Sequence, residues 1–243
     1  MIDGRRVLAL VAARGGSKGL PRKNLRLLGG RPLVAWPVST ALAARSVDRV
    51  AVSTDDEEIA AAARAAGADV PFMRPAALAS DSASSIAVAL HALELLAAEG
   101  HSYDYLVLLE PTSPLTEPQD VDRALAILHA GRERADAIVG ISRLEASHPD
   151  FDVRLGADGL IRPYAAADFS SLKRRQDVEP LYFLEGSLYA SAVEVLAAKK
   201  SFCHDRTLGY PVPRWKALEI DELIDFICVE ALLKHREDLR AAE

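Results

Sequence analysis

Short apolar runs at 7–13, 49–53, 70–73, 105–109 and 137–141 are separated by stretches of helical periodicity at 32–45, 56–66, 84–99 and 118–130. The runs carry almost no alternating polar positions, which is the pattern of strands buried on both faces. Strand, helix and strand at this spacing require right-handed crossovers and a mostly parallel sheet covered by helices. The chain therefore reads as α/β. Helix boundaries are signed in places. Asp55, Asp56, Glu57 and Glu58 put negative charge at a helix N-terminus, and Gly67 supplies a natural stop. Pro37 falls about a turn inside the first helical pattern, so it must shift that helix's start or kink it.

The alternation breaks after 142. Segments 151–155 and 160–164 flank Gly156-Ala157-Asp158-Gly159 and predict a β-hairpin. A basic stretch at 170–176 follows, then a strand at 181–191, a helix at 192–200 and a closing charged helix at 222–240. We read 143–180 as an insertion into one domain spanning 1–243, because 243 residues fit one large domain with an excursion. With 50% hydrophobic and 26% charged residues the chain is neither disordered nor a membrane protein. A net charge of −6 argues against a basic nucleic-acid footprint. Cys203 and Cys228 lack metal-ligand spacing and read as reduced thiols. The opening run is too short for a membrane span or a signal core, so a cytoplasmic location is expected.

The chemistry concentrates in the loop after the first strand, Arg14-Gly15-Gly16-Ser17-Lys18-Gly19-Leu20-Pro21-Arg22-Lys23-Asn24. A glycine-rich loop at the carboxyl edge of a parallel sheet lets backbone N–H groups approach phosphate oxygens. Glycines at 15, 16 and 19 do not make G-x-G-x-x-G, and Lys18 is followed by Gly19 rather than Ser or Thr, which excludes a Walker A loop. Arg14, Lys18, Arg22 and Lys23 bring four cations into ten positions of an acidic protein. They form either a solvated basic turn or a cradle for a triphosphate.

Here the sequence resembles the cytidylyltransferases that activate 3-deoxy-2-keto sugar acids, of the acylneuraminate type. Their signature, Ala-Arg-x-x-Ser-Lys-x-hydrophobic-Pro-x-Lys-Asn, stands at 13–24 without a gap. The resemblance continues through Val52-Ser53-Thr54-Asp55, Arg74-Pro75-Ala76, the segment 78–85 and Pro111-Thr112-Ser113-Pro114-Leu115. Beyond about 130 it thins to islands at Arg174-Arg175-Gln176, 186–189 and 219–221. It implies a single Rossmann-like nucleotidyltransferase domain that transfers CMP from CTP to a sugar acid and releases pyrophosphate. Arg14, Lys18 and Lys23 should then meet the triphosphate, with Ser17 in the same loop, while Asn24, Arg74 and Ser84 should meet the cytidine end. Arg74 and Ser84 also have plain roles open to them, as a strand-end arginine and a helix N-cap.

The resemblance further implies Mg²⁺, held by an Asp-x-Asp that stands here as Glu219-Ile220-Asp221. Asp221 is the main candidate ligand, with an N-cap role as its alternative. The longer Glu219 departs from the family. The insertion should build a homodimer and lend Arg174 and Arg175 to the partner's acceptor site; a solvated basic loop is the other reading. On the acceptor side lie Thr112 and Ser113, with Glu110 where relatives usually carry Gln and Glu185 where they carry Asn. Two added acids beside an anionic acceptor favour a substrate other than plain N-acetylneuraminate: more hydroxylated, amino-bearing, or a bacterial analogue such as legionaminate. A Kdo-type eight-carbon acid, another sugar, or a non-catalytic nucleotide-binding scaffold are the competing functions. His148 reads as structural.

Overall fold

The computed structural model describes residues 1–243 except Ala146, Leu172 and Glu243, with Arg175 described through its backbone only. The chain opens with β1 (Val7–Ala12) and a 3-10 turn at Lys23–Leu25. A small hairpin of β2 (Leu27–Leu28) and β3 (Arg31–Pro32) precedes α1 (Ala35–Ala43), β4 (Arg49–Ser53) and α2 (Glu57–Ala65). Next come α3 (Ser85–Ala98), β5 (Tyr105–Leu109), α4 (Pro118–Ala130) and β6 (Ala137–Arg143). A second hairpin of β7 (Val153–Leu155) and β8 (Ile161–Pro163) leads to the long β9 (Tyr182–Ala192). The chain closes with α5 (Val193–Lys199), β10 (Thr207–Pro211), α6 (Leu223–Lys234) and α7 (Arg236–Ala241).

The main sheet has the order β10-β6-β9-β5-β1-β4. All its pairings are parallel except the two made by β9, which runs antiparallel to both β5 and β6. Successive residues of a strand face opposite ways, so β1 feeds two cores. Val7, Ala9 and Val11 pack with Val38, Ile59 and Leu125 on one face; Leu8 and Leu10 pack with Ala89, Leu96 and Leu196 on the other. A third cluster of Leu20, Leu28, Leu33, Leu115, Ile220 and Val229 lies beneath the first loop and is closed by α6. Each fully buried Leu or Ile contributes about 2 kcal/mol from burial, so Ile220 is a firm anchor for the acidic segment around it.

The expected alternation is present, with several differences. Segment 70–73 is not a strand: it makes only isolated bridges, Asp69 to Ala51 and Met73 to Thr54, because Pro71 between them cannot donate to a ladder. The first helix starts at Ala35, which puts Pro37 in the first turn, where its missing N–H costs nothing. The closing helix breaks in two at His235. Strand β10 and the small hairpin of β2 and β3 were not anticipated.

His148 is buried. Its Nδ1 accepts from the Asp150 N–H at 3.2 Å and its Nε2 meets the Glu179 carbonyl at 3.0 Å, so it ties the root of the insertion together as expected. The insertion itself exposes Leu155, Leu160, Ile161, Tyr164 and Phe169, beside Tyr182, Phe183 and Leu184 of β9. Cys203 and Cys228 are free thiols. No helix among the described residues is long and apolar enough to cross a membrane.

Candidate active site

A cavity of about 420 Å³ opens at the carboxyl ends of β1 and β5, between the first loop, the segment before α3 and the acidic segment before α6. Arg14, Ser17, Lys18, Lys23 and Asn24 line it from the loop, Arg74 from beside β4, Glu110 and Thr112 from the end of β5, and Asp221 from the far side. Thus three of the four loop cations share one hollow. The fourth, Arg22, turns away and pairs with Asp56 at 3.0 Å and Glu58 at 2.7 Å, so it anchors the loop to α2.

The loop is held by its neighbours rather than by a helix of its own. The Gly15 N–H donates to Asp55 at 2.9 Å, and Asn24, which is buried, donates its amide to the Arg14 carbonyl at 2.8 Å. A Cβ on Gly19 would sit 2.5 Å from the Asp221 carbonyl oxygen, so the loop and the acidic segment touch backbone to backbone. Lys23 bridges the same gap. Its Nζ donates to the Ile220 carbonyl at 2.7 Å and to the Asp221 carboxylate at 3.1 Å. Arg14 and Lys18 both pair with Asp81, at 2.7 Å and 2.5 Å, a residue the sequence reading did not single out. Those two cations hold the Asp81 carboxyl below its ordinary range through direct hydrogen bonds.

Arg74 is buried, with Nε donating to the Ser53 hydroxyl at 3.0 Å and a second nitrogen donating to the Ser53 carbonyl. Burial lowers its pKa to about 10, with Asp55 opposing the shift and Arg14 adding to it. Ser84 is the N-cap of α3 and accepts from the Ala87 N–H at 3.1 Å. Ser84 does not line the cavity. Its neighbour Ser85 does, and donates to Glu110 at 3.4 Å.

The acidic positions separate by depth. Asp221 stands at the rim with its side chain 75% exposed. Glu219 lies deeper and off the lining, its carboxylate accepting from the Gly186 N–H at 2.7 Å. Burial raises its pKa, with Gly186 opposing and Asp221 reinforcing. Glu110 reaches the lining; burial first, then the Glu219 charge, pushes it above the ordinary carboxylate range. Glu185 is not brought to this hollow: it is fully buried in β9, where its carboxylate accepts from the Ser187 N–H and hydroxyl. Burial pushes it up to about 7. Ser113 is also beneath the surface, and its hydroxyl and that of Thr112 have no hydrogen-bond partner. Arg174 is exposed in the insertion and lines none of this cavity, while the Arg175 side chain lies outside the described residues.

A second hollow of about 260 Å³ adjoins the first, sharing Ser85 and Glu110 with it. Tyr189, Phe202, Ile86 and Leu108 give it an apolar wall, with Cys203 at its edge. The arrangement can seat a polyanion against three cations and a second molecule across Glu110 from it. Sequence reasoning missed Asp81 and Ser85 because an Asp and a Ser in a serine-rich loop carry no spacing signal.

Comparison with known proteins gives the family and the fold. A family model described as cytidylyltransferase matches residues 8–189. The chain is 31% identical over 235 residues to the CMP-N,N'-diacetyllegionaminic acid synthase of Legionella pneumophila, covering 96% of this chain and 98% of that protein. It is 31% identical over 221 residues to the N-acylneuraminate cytidylyltransferase of Escherichia coli, covering 91% of this chain but 50% of that longer protein. Among solved structures, a CMP:2-keto-3-deoxy-manno-octonic acid synthetase complexed with CTP superposes with a TM-score of 0.68 over 95% of this chain and 99% of that one. At 19% identity that likeness speaks to fold alone.

Proposed function

The chain belongs to the cytidylyltransferase family, and from that membership we propose that it transfers CMP from CTP to the anomeric hydroxyl of a nonulosonic sugar acid, releasing pyrophosphate. The observation that carries this reading is the convergence of Arg14, Lys18 and Lys23 on one cavity faced by Asp221 and joined to a second hollow across Glu110. The acceptor oxygen attacks the α-phosphorus, and the bond from that phosphorus to the bridging oxygen of pyrophosphate breaks. Such transfers depend on positioning and charge stabilisation more than on covalent help. Arg14 and Lys18 exchange their contact with Asp81 for phosphate oxygens. Lys23, fixed by the Ile220 carbonyl, meets the negative charge that builds on the transferring and leaving groups.

A divalent metal fits the donor set. Mg²⁺ is usually held by one or two carboxylates together with substrate phosphates, and Asp221 offers an exposed carboxylate on the cavity rim. Among the described residues no group of three or more His, Cys, Asp or Glu side chains forms a cage by itself. Asp221 is the residue that would hold the ion, since Glu219 is turned to Gly186. When bound, Mg²⁺ would neutralise phosphate charge and polarise the α-phosphoryl oxygen.

The acceptor occupies the second hollow. A carboxylate at Glu110 favours hydroxyl or amino donors on the sugar, and the Tyr189–Phe202 wall favours an apolar acyl substituent. That combination supports a legionaminate-type acid over plain N-acetylneuraminate. The exposed apolar residues of the insertion support a homodimer in which Arg174 and Arg175 serve the partner's acceptor site. Light scattering after size exclusion tests the dimer: a monomer at micromolar concentration overturns it. The activity test is pyrophosphate release with CTP and Mg²⁺ against a panel of nine- and eight-carbon 2-keto-3-deoxy acids, with ATP, GTP and UTP as controls. CTP-dependent release with a di-N-acyl nonulosonate is expected. N-acetylneuraminate emerging as the best acceptor by far overturns the acceptor assignment, and failure to bind CTP overturns the reading as a whole.

A further inference from the structure

Off the lining of the cavity lies a buried ionic cluster. Lys216 is 5% exposed, and its Nζ donates to Glu117 at 2.7 Å and to the two Asp120 oxygens at 2.9 Å and 3.2 Å. Glu117 and Asp120 form the capping box that starts α4, and both are buried. Arg236 and Arg240 reach Glu117 from the end of the chain, and the Tyr210 hydroxyl donates to Asp120 at 3.0 Å. Burial works against ionisation of Glu117, yet Lys216 and Arg240 hold its carboxyl down at about 2. A buried lysine with two carboxylates is costly to assemble and is weak evidence for added stability. Its place in the chain suggests another use.

Glu117 ends the loop that begins at Glu110 and contains Thr112. Lys216 precedes Glu219 and Asp221 by three and five positions. Four residues after Lys216, the Ile220 N–H donates to the Thr112 carbonyl at 2.8 Å. The same two segments are therefore joined twice, by an ionic rung at Lys216 and by a backbone rung at Ile220. Two rungs fix a direction where one allows a pivot. Asp221, and the Ile220 carbonyl that receives Lys23, lie at and just beyond the second rung.

We propose that Lys216 is a positioning residue for the transfer reaction: by locking segment 216–221 against the 110–120 segment, it sets where the Lys23–Asp221 pair stands relative to Glu110 and Thr112. The inference rests on the reading of that pair as part of the CMP-transfer site. Removing Lys216 leaves Glu117 paired with Arg236 and Arg240, and leaves Asp120 with the Tyr210 hydroxyl and the Glu117 N–H as its partners.

The test compares Lys216→Met with wild type in kinetics and in amide hydrogen exchange. The expected result is a fall in kcat of tenfold or more, a KM for CTP within twofold, and recovery of most of kcat in Lys216→Arg. Exchange at the Ile220 amide rises at least tenfold while the amides of β1 keep their protection. If the Met variant does not fold, Lys216→Gln is read the same way. A kcat within twofold of wild type, or an Ile220 amide that exchanges no faster, overturns the proposal. The exchange arm needs no substrate, so it decides the question even if no acceptor is turned over. Asp221→Asn in the Lys216 background separates the two claims: full activity there overturns the reading of the site, whatever Lys216 does.

Discussion

Lys23 is 13% exposed along its side chain, and both its partners belong to the acidic segment nearly two hundred positions later in the chain. Such a cation is preorganised, and removing a preorganised donor to transition-state charge costs about 10²–10³ in rate. Lys23→Ala is expected to lower kcat for pyrophosphate release by about that factor, while CTP affinity, measured by calorimetry, falls less than tenfold because Arg14 and Lys18 remain. A non-catalytic nucleotide-binding protein would have no turnover to lose. In the proposed reaction Glu110 faces the other substrate. Its carboxylate faces both hollows, so Glu110→Gln removes a negative charge from the acceptor's side. The expected outcome is a rise of about tenfold in kcat/KM for N-acetylneuraminate relative to the preferred acceptor, read from the same release assay. The substitutions at 110, 185 and 219 were all visible in the sequence, but their consequences were not. Burial divides them: Glu110 lines the site, Glu219 caps the Gly186 N–H behind it, and Glu185 serves the interior of β9.

At the level of elements, the strands that the sequence announced are those with unbroken apolar runs. What stayed hidden has identifiable causes. Thr207-Leu208-Gly209-Tyr210-Pro211 contains both Gly and Pro and reads as a loop, yet β10 is an edge strand, where Pro is tolerated. Segment 70–73 has strand composition, but Pro71 interrupts its ladder. The direction of β9 cannot be read from hydropathy at all, since parallel and antiparallel partners bury the same faces. The first loop was legible as a cation-rich anion site; that Arg22 turns to α2 and that Asp81 closes over Arg14 and Lys18 were not, because both depend on contacts between distant segments. The loop's contact with the segment before α6 yields a test. In Gly19→Ala the new Cβ meets the Asp221 carbonyl at 2.5 Å, a backbone atom that cannot swing aside. The loop must retreat, so turnover is expected to fall at least tenfold with a Tm within a few degrees of wild type, measured by calorimetry alongside the release assay.

For the whole molecule, the buried Glu185 couples stability to pH. Its pKa rises from an ordinary value near 4.5 in the unfolded chain to about 7 in the folded one. The folded state thus binds the proton more tightly, and the stabilisation is complete below about 4.5 and is lost as pH rises to about 7. Between pH 5.5 and pH 8 this one group lowers the unfolding free energy by about 2 kcal/mol. Urea denaturation should show that decline in the wild type. Glu185→Gln, which keeps the shape and removes the charge, should flatten it and leave the variant more stable at pH 8. An equal decline in both proteins would assign it elsewhere.

The bridging of Arg14 and Lys18 by Asp81 also changes the ionic balance of nucleotide binding. Bare clustered cations gather small anions from solution, and a polyanion that displaces them binds ever more weakly as salt is added. Here the displaced anion belongs to the protein and stays attached after it lets go, so the exchanges at Arg14 and Lys18 release nothing into the medium. CTP affinity should therefore vary little between 50 mM and 300 mM NaCl, and Asp81→Asn should bind CTP more tightly at low salt with a distinctly steeper dependence. A loop that carries its own counter-ion buffers the protein's grip on its nucleotide against changes in the surrounding electrolyte.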